Sequence, residues 1–122
     1  MLNKLIFITG ANGEMGHSLI NELNQKGFNN IITLDLERPK HKCDVIKFYQ
    51  GSILDQELLN TINDQHHITS IYHLAAILST KAEENPQLAN DVNIKGTENI
   101  LNFANKQSLK QNIIIPFFFP SS

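Results

Sequence analysis

The sequence predicts an α/β fold, a doubly wound and mostly parallel sheet of about five strands in the order 3-2-1-4-5. Three observations lead to this fold class. Short apolar segments alternate with segments of helical periodicity, as they do in βαβ units. The first apolar segment is unbroken, which suits a strand that is covered on both faces. Gly10, Gly13 and Gly16 then separate this strand from the first helix.

The first half of the chain predicts three strands and one helix. KLIFIT, residues 4–9, is the first strand, and the amphipathic segment 14–26 is a helix that Gly27 ends. Two further apolar segments, 30–36 and 45–50, are the second and third strands. The chain therefore opens with a complete βαβ unit.

The middle of the chain predicts one short helix and the fourth strand. Residues 55–64 form the helix, and Asp55 is expected to be its N-cap because an Asp side chain accepts a hydrogen bond from a first-turn amide. SIYHLAA, residues 70–76, is the fourth strand. Its His73 is expected to be packed, hydrogen-bonded and neutral.

The last part of the chain predicts a long helix and a fifth strand. Asn85 followed by Pro86 is a helix start, a capping residue with proline at the first helical position, so the helix spans about 86–106. Residues 112–119 are the fifth strand. Pro116 cannot donate to a neighbouring strand, so this strand is expected at an edge or a bulge.

Composition limits the kinds of partner. The 122 residues fit one domain, and a net charge of −2 gives no basic surface for nucleic acid or anionic lipid. Cys43 is the only cysteine, so no internal disulfide is expected. The longest apolar run, residues 113–120, is too short to span a bilayer. With no targeting segment recognised, we predict a cytoplasmic protein without a membrane or nucleic-acid partner.

The three glycines have two interpretations. They could be turn residues that need no ligand, or they could form a phosphate loop. In the second interpretation Gly10 permits a tight turn, Gly13 lets a pyrophosphate approach the backbone, and Gly16 lets the helix pack closely on the strand. Asp35, at the end of the second strand, would accept hydrogen bonds from ribose hydroxyls and repel a 2′-phosphate. This pattern favours NAD over NADP.

Four segments in order resemble a known family. TGANGEMG, IYHLAA, VNIKGTENIL and IPFFFPSS are similar to motifs of the extended short-chain dehydrogenases/reductases, the NAD-dependent epimerase/dehydratase family. The resemblance covers the whole chain and implies a Rossmann-like domain with a small-molecule substrate. Within the family, HLAAILSTKAEENPQLANDVN is most similar to the short-chain type of L-threonine 3-dehydrogenase, and sugar-nucleotide epimerases are the nearest alternative.

The resemblance also implies roles for individual residues. Those expected to bind NAD are Gly10, Asn12, Gly13, Glu14, Met15, Gly16, Asp35, Ser52, Ile53, Leu74, Ala75, Ala76 and Asn93. Ser79 and Ser121 are expected to contact substrate, and Ser122 is expected to be the catalytic serine that donates a hydrogen bond to the reacting oxygen. Ser52 stands where the family usually has an acidic residue beside adenine. No metal site is predicted, because the adjacent pair His66 and His67 has no further ligand at suitable spacing.

One expected motif is missing from the sequence. The family's catalytic tyrosine is followed four residues later by a lysine, but here Tyr49 is followed by Ile53 and Tyr72 by Ala76. We therefore interpret residues 1–122 as the NAD-binding domain of a truncated family member, lacking the substrate lobe and inactive alone. A non-catalytic NAD-binding module is the alternative, and a reading frame continuing into Y-x-x-x-K would separate the two.

The resemblance implies self-association as well. In the family, the helix that corresponds to 86–106 packs with the next helix in a two-fold dimer interface. The apolar C-terminal strand would also lie near an open sheet edge. A homodimer or higher assembly is therefore expected.

Overall fold

The computed structural model describes residues 3–75 and 84–120. The elements in chain order are β1 (Ile6–Thr9), α1 (Glu14–Gln25), β2 (Ile31–Asp35), β3 (Lys47–Gln50), α2 (Gln56–Gln65), β4 (Ser70–His73), α3 (Pro86–Gln111) and β5 (Phe117–Phe118). Within these residues the strands form one sheet in the order β3-β2-β1-β4-β5, and every neighbouring pair is parallel. The predicted Rossmann-like α/β fold and its strand order are confirmed.

The central strands are buried on both faces, as an unbroken apolar run predicts. Phe7 and Ile32 point to one face, where they share a core with residues of α2 and α3. Ile8 and Ile31 point to the other face, where Ile20 of α1 covers them. Successive strand residues alternate between faces, so β1 and β2 supply both halves of the core. This arrangement places α1 on one side of the sheet and α2 and α3 on the other.

The helix starts agree with the local sequence signals. The Asp55 side chain accepts a hydrogen bond from the Leu58 amide at 3.1 Å, and the Asn85 side chain accepts one from the Leu88 amide at 3.1 Å. Both predicted N-caps are therefore confirmed. In the described ranges, none of the helices combines the length and the apolar character that a bilayer crossing requires.

Several boundaries differ from the sequence prediction. β1 and β2 are shorter than the predicted 4–9 and 30–36, and β4 ends at His73 instead of residue 76. α3 continues past residue 106 to Gln111, where Asn112 adopts a left-handed conformation with φ of 56°. The extra turn is held by long-range hydrogen bonds, since the Gln107 side chain accepts from the Ile68 amide and the Gln111 side chain donates to the Ile68 carbonyl. The predicted strand 112–119 is correspondingly shortened to Phe117–Phe118.

β3 is also shorter than predicted and spans only Lys47–Gln50 instead of 45–50. The edge position predicted from Pro116 is confirmed, because β5 ends the strand order and pairs only with β4 in the described sheet. Although Pro116 donates no hydrogen bond, its carbonyl accepts one from the Ile71 amide at 3.0 Å.

Candidate functional site

The predicted loops converge at one edge of the sheet. Gly10 follows β1, Asp35 ends β2, and Leu74 follows β4, and β1 lies between the other two strands. The carboxyl ends of parallel strands share an edge, and ligands of open α/β sheets bind where neighbouring strands lead to helices on opposite faces. β1 leads to α1, whereas α3, the next described helix after β4, covers the opposite face. The fold thus brings these three residues to the position where a ligand is expected.

Gly10 has a conformation that other residues rarely adopt. Its φ is +70°, and its amide donates to the Leu34 carbonyl at 2.9 Å. A Cβ built on Gly10 would lie 2.5 Å from the Ala75 backbone nitrogen. Glycine at this position is therefore required by the backbone itself, through both the dihedral angle and the close approach to the chain after β4.

Gly16 is also required by packing, but Gly13 is not. Gly16 lies in the first turn of α1, and a Cβ there would lie 2.5 Å from the carbonyl oxygen of Ala11. A Cβ on Gly13 would meet only the Gly10 carbonyl oxygen, at 3.5 Å, which is ordinary contact. Gly13 is exposed, with φ of −70° and ψ of 172°, which any residue can adopt. The space in front of Gly13 is open.

The start of α1 differs chemically from the starts of the other helices. Gly13 is the N-cap of α1 and has no side chain to accept a hydrogen bond, whereas Asp55 and Asn85 cap α2 and α3. The first amides of a helix have no partner within the helix, and the positive end of the helix dipole favours an anion there. The start of α1 can therefore accommodate a phosphate, and its open, side-chain-free approach fits the pyrophosphate of NAD.

Asp35 connects the glycine loop to the loop after β2. One carboxylate oxygen accepts from the Asn12 amide at 2.9 Å, and the other accepts from the Glu37 amide at 3.3 Å. The Asn12 side chain in turn donates to the Glu37 carbonyl. A carboxylate has about four acceptor positions, so two remain for ribose hydroxyls. This bracing role of Asp35 was not part of the sequence prediction.

The segment predicted to flank adenine follows β3. The Ser52 hydroxyl accepts a hydrogen bond from the Leu54 amide at 3.0 Å, and the Ser52 carbonyl accepts one from the Asp55 amide at 3.0 Å. Ile53 is buried, and its side chain packs against α3 at Gly96. Ser52 therefore closes the turn before α2, and Ile53 fixes that turn to α3.

His73 links three elements beneath the site. Its Nδ1 lies 2.7 Å from the Thr9 hydroxyl, and its Nε2 lies 3.2 Å from the Thr97 hydroxyl. The Thr9 hydroxyl also accepts a hydrogen bond from the Ala75 amide at 3.3 Å. Burial lowers the pKa of His73 below its usual value, which agrees with the predicted packed, neutral histidine.

The other predicted residues are placed as follows. Glu14 and Met15 are exposed in the first turn of α1, Leu74 and Ala75 are half-buried directly after β4, and Asn93 is half-buried on α3. Ala76, Ser79, Ser121 and Ser122 lie outside the described residues. Gly96, Thr97 and Asn99 had no predicted role, although they belong to the VNIKGTENIL segment that resembles the family.

Comparisons with known proteins identify the family and several similar folds. A model of the NAD dependent epimerase/dehydratase family matches residues 6–122. The human protein named inactive L-threonine 3-dehydrogenase, mitochondrial, is 36% identical over 107 residues, covering 86% of this chain and 46% of that protein. An apo structure of a monomeric L-threonine 3-dehydrogenase from a metagenome is 41% identical with a TM-score of 0.71, covering 91% of this chain and 34% of that one.

A third relative has a different reaction in its name. The structure of UDP-glucose 4-epimerase from Thermotoga maritima, with UDP-glucose, is 28% identical with a TM-score of 0.76, covering 96% of this chain and 37% of that one. The chain spans less than half the length of each of these three relatives. The family name and the dehydrogenase relatives imply a nicotinamide cofactor. The match over residues 6–122 shows that this chain belongs to the NAD-dependent epimerase/dehydratase family.

Proposed function

We propose that residues 1–122 are the NAD-binding Rossmann domain of an oxidoreductase similar to L-threonine 3-dehydrogenase, which in its intact form oxidises threonine to 2-amino-3-oxobutanoate. The observation that carries this proposal is Gly13. The fold does not require glycine there, yet the residue stands at the start of α1, beside the Asp35 loop. A pyrophosphate held by the first amides of α1 explains why a side chain is excluded.

Each part of the site has a task in this proposal. The backbone from Gly10 to Gly16 binds the pyrophosphate, with Glu14 and Met15 offering amides. The Asn12 and Gly13 amides, which were also expected to do so, donate to Asp35 and to the Gly10 carbonyl instead. Asp35 accepts hydrogen bonds from the adenosine ribose, and Ser52 and Ile53 lie beside adenine. Leu74, Ala75, Ala76 and Asn93 flank the rest of the cofactor.

The chemical step needs more than the cofactor site. NAD, when bound, supplies an acceptor for the hydride from the substrate carbon. Ser79 and Ser121 contact the substrate, and Ser122 donates a hydrogen bond to the reacting oxygen. The sequence contains no Tyr followed four residues later by Lys, so no tyrosine base is available to take the hydroxyl proton. We therefore propose that the 122-residue chain alone does not catalyse the reaction.

Two other functions have specific support. The similarity to the Thermotoga epimerase favours a sugar-nucleotide epimerase or dehydratase as the intact protein. The human relative is named as inactive, which favours a non-catalytic NAD-binding module. A reading frame that continues past residue 122 into Y-x-x-x-K would support an enzyme, and one that ends there would support the binding module.

The proposal is tested by titrating NAD into the purified chain in a calorimeter. NAD is expected to bind with a stoichiometry of about one per chain, as for a single dinucleotide site at the switch point of the sheet. Gly13→Val is expected to abolish binding while leaving the helical circular dichroism spectrum intact, because a Val side chain occupies the pyrophosphate position. Ser18→Val, an exposed position one turn further along α1, is the matched control and is expected to bind NAD normally. Normal binding by Gly13→Val contradicts the proposal.

We also propose that the chain self-associates. Several large apolar side chains of α3 are exposed, among them Leu101 and Leu109, and so are Phe118 and Phe119 at the edge of the sheet. Exposed apolar surface and an unpaired strand edge favour association. The metagenomic relative is named as monomeric, so the assembly has to be measured for this chain directly. The cytoplasmic location stays a prediction, since the human relative is named as mitochondrial.

A further inference from the structure

We propose that one turn of α3, residues 96–99, positions both loops of the cofactor site, with Gly96 and Asn99 fixing the adenine loop and Thr97 fixing the glycine loop. This inference rests on the proposed NAD site. None of the three is proposed to touch the cofactor, so they are positioning residues rather than binding residues. Here the adenine loop means residues 51–55, and the glycine loop means residues 10–16.

Asn99 anchors the adenine loop through a buried hydrogen bond. Its side-chain amide donates to the Ile53 carbonyl at 3.0 Å, and its side-chain oxygen accepts from the Gln56 side chain at 2.7 Å. Only 3% of Asn99 is exposed. A buried amide of this kind is costly unless both of its ends are paired, so the two bonds fix Ile53 and the start of α2 to one point on α3.

Gly96 makes the same attachment through packing. A Cβ on Gly96 would lie 2.1 Å from the Ile53 Cδ1 atom and 2.8 Å from Cγ1. The absence of a side chain at Gly96 therefore lets Ile53 rest directly on the helix. Asn99 thus holds the main chain of Ile53, and Gly96, three residues earlier on α3, receives its side chain. Both contacts restrict the movement of the adenine loop relative to the helix.

Thr97 reaches the opposite side of the site. Its hydroxyl contacts His73 Nε2, and His73 Nδ1 contacts the Thr9 hydroxyl, one residue before the glycine loop. The Thr9 hydroxyl also binds the Ala75 amide, and the backbone of Ala75 is the surface against which Gly10 packs. A change at Thr97 is therefore transmitted to the glycine loop through two buried side chains.

Two matched pairs of variants test the proposal. Asn99→Leu removes the anchor of the adenine loop, and Gln107→Leu removes an equally buried side-chain amide two turns further along the same helix. The Gln107 side chain bonds to Asn63 and Ile68, far from the predicted site. Thr97→Val and Thr69→Val form the second pair, because the Thr69 hydroxyl bonds to Leu5 at the opposite end of the sheet.

The first measurement is the NAD dissociation constant, determined by calorimetry at a temperature where circular dichroism shows every variant folded. Asn99→Leu, which loses two hydrogen bonds, is expected to raise the dissociation constant about tenfold, and Thr97→Val, which loses one, about threefold. Gln107→Leu and Thr69→Val are expected to change it less than about twofold. If both variants of a pair lost the same NAD affinity, general destabilisation would be the cause and the proposal would fail. Unchanged NAD affinity in Asn99→Leu and Thr97→Val would also overturn the proposal.

The second measurement needs no ligand. Hydrogen exchange of the amides in residues 51–55 is expected to accelerate in Asn99→Leu and to stay unchanged in Gln107→Leu. If Asn99→Leu does not fold, Gly96→Ala provides the same readout, because its Cβ displaces Ile53. A wild-type chain that binds no NAD would refute the proposed function. Unchanged exchange at 51–55 would overturn the attachment to α3, whether or not NAD binds.

Discussion

Gly13→Ser is expected to raise the stability of the protein and to lower its affinity for the cofactor. Gly13 has the extended conformation of an ordinary N-cap residue, and a Cβ there makes only a 3.5 Å contact with the Gly10 carbonyl. Gly13→Ser therefore introduces no strain. The new hydroxyl would accept a hydrogen bond from a first-turn amide of α1, as the side chains of Asp55 and Asn85 do in the other helices.

The two effects have opposite signs and different sizes. Replacing an N-cap glycine by serine is worth a few tenths of a kcal/mol, which raises the melting temperature by about 1–3 °C in a domain of this size. The same hydroxyl competes with the pyrophosphate for its amide. A hydrogen bond to a charged group contributes about 1.5–3 kcal/mol, so NAD binding should weaken about ten- to a hundredfold.

The assay combines thermal unfolding by circular dichroism with calorimetric titration of NAD. Gly16→Ala is the comparison variant, because its Cβ would lie 2.5 Å from the Ala11 carbonyl oxygen and should lower the melting temperature. If Gly13→Ser bound NAD as tightly as the wild type, the amides at the start of α1 would not hold the phosphate. If Gly13→Ser lost stability, the fold itself would require glycine there.

Further expectations concern the cofactor, pH, catalysis and assembly. Calorimetry should show tighter binding of NAD than of NADP, because the Asp35 carboxylate repels a 2′-phosphate; the reverse order would remove that role from Asp35. Burial lowers the pKa of His73 below 6.5, so below this pH the unfolded chain binds more protons than the folded chain. The contribution of His73 to the free energy of unfolding is therefore complete above pH 6.5, and it is lost as the pH falls toward the lowered pKa. Urea unfolding at several pH values should show this loss, and His73→Gln should reduce it. With L-threonine and NAD, the purified chain should form no NADH, and turnover near that of an intact dehydrogenase would contradict the missing-base argument. Light scattering should detect association at micromolar concentration, whereas a monomer would refute the proposed self-association.

Local chemistry explains what the sequence predicted correctly. The N-caps Asp55 and Asn85 and the first-turn proline Pro86 act within a few residues of themselves, so each helix start follows from the sequence alone. The buried strands follow from the same kind of reasoning, because an unbroken apolar run such as 5–8 has no polar face to expose. The strand order follows from the alternation of strands and helices, because doubly wound sheets commonly have this order.

Long-range contacts explain what the sequence did not predict. The end of α3 depends on Gln107 and Gln111, whose partner is Ile68, about 40 residues away along the chain. The attachment of Asn99 to Ile53 and the connection from Thr97 to Thr9 through His73 likewise join segments far apart in sequence. Polar residues of this kind look like ordinary helix residues until the fold brings their partners to them.

The three glycines of the first loop show why the sequence motif alone left two interpretations open. A turn without a ligand accounts for Gly10, which needs a positive φ and a close approach to Ala75. It also accounts for Gly16, whose Cβ would collide with Ala11. It does not account for Gly13, which has an ordinary conformation and open space in front of it. A serine or aspartate there would cap α1 at no steric cost, so an uncapped glycine sacrifices stability that the fold could otherwise have. We propose that a ligand uses the first amides of α1 instead, and the stability and affinity of position-13 variants test this directly.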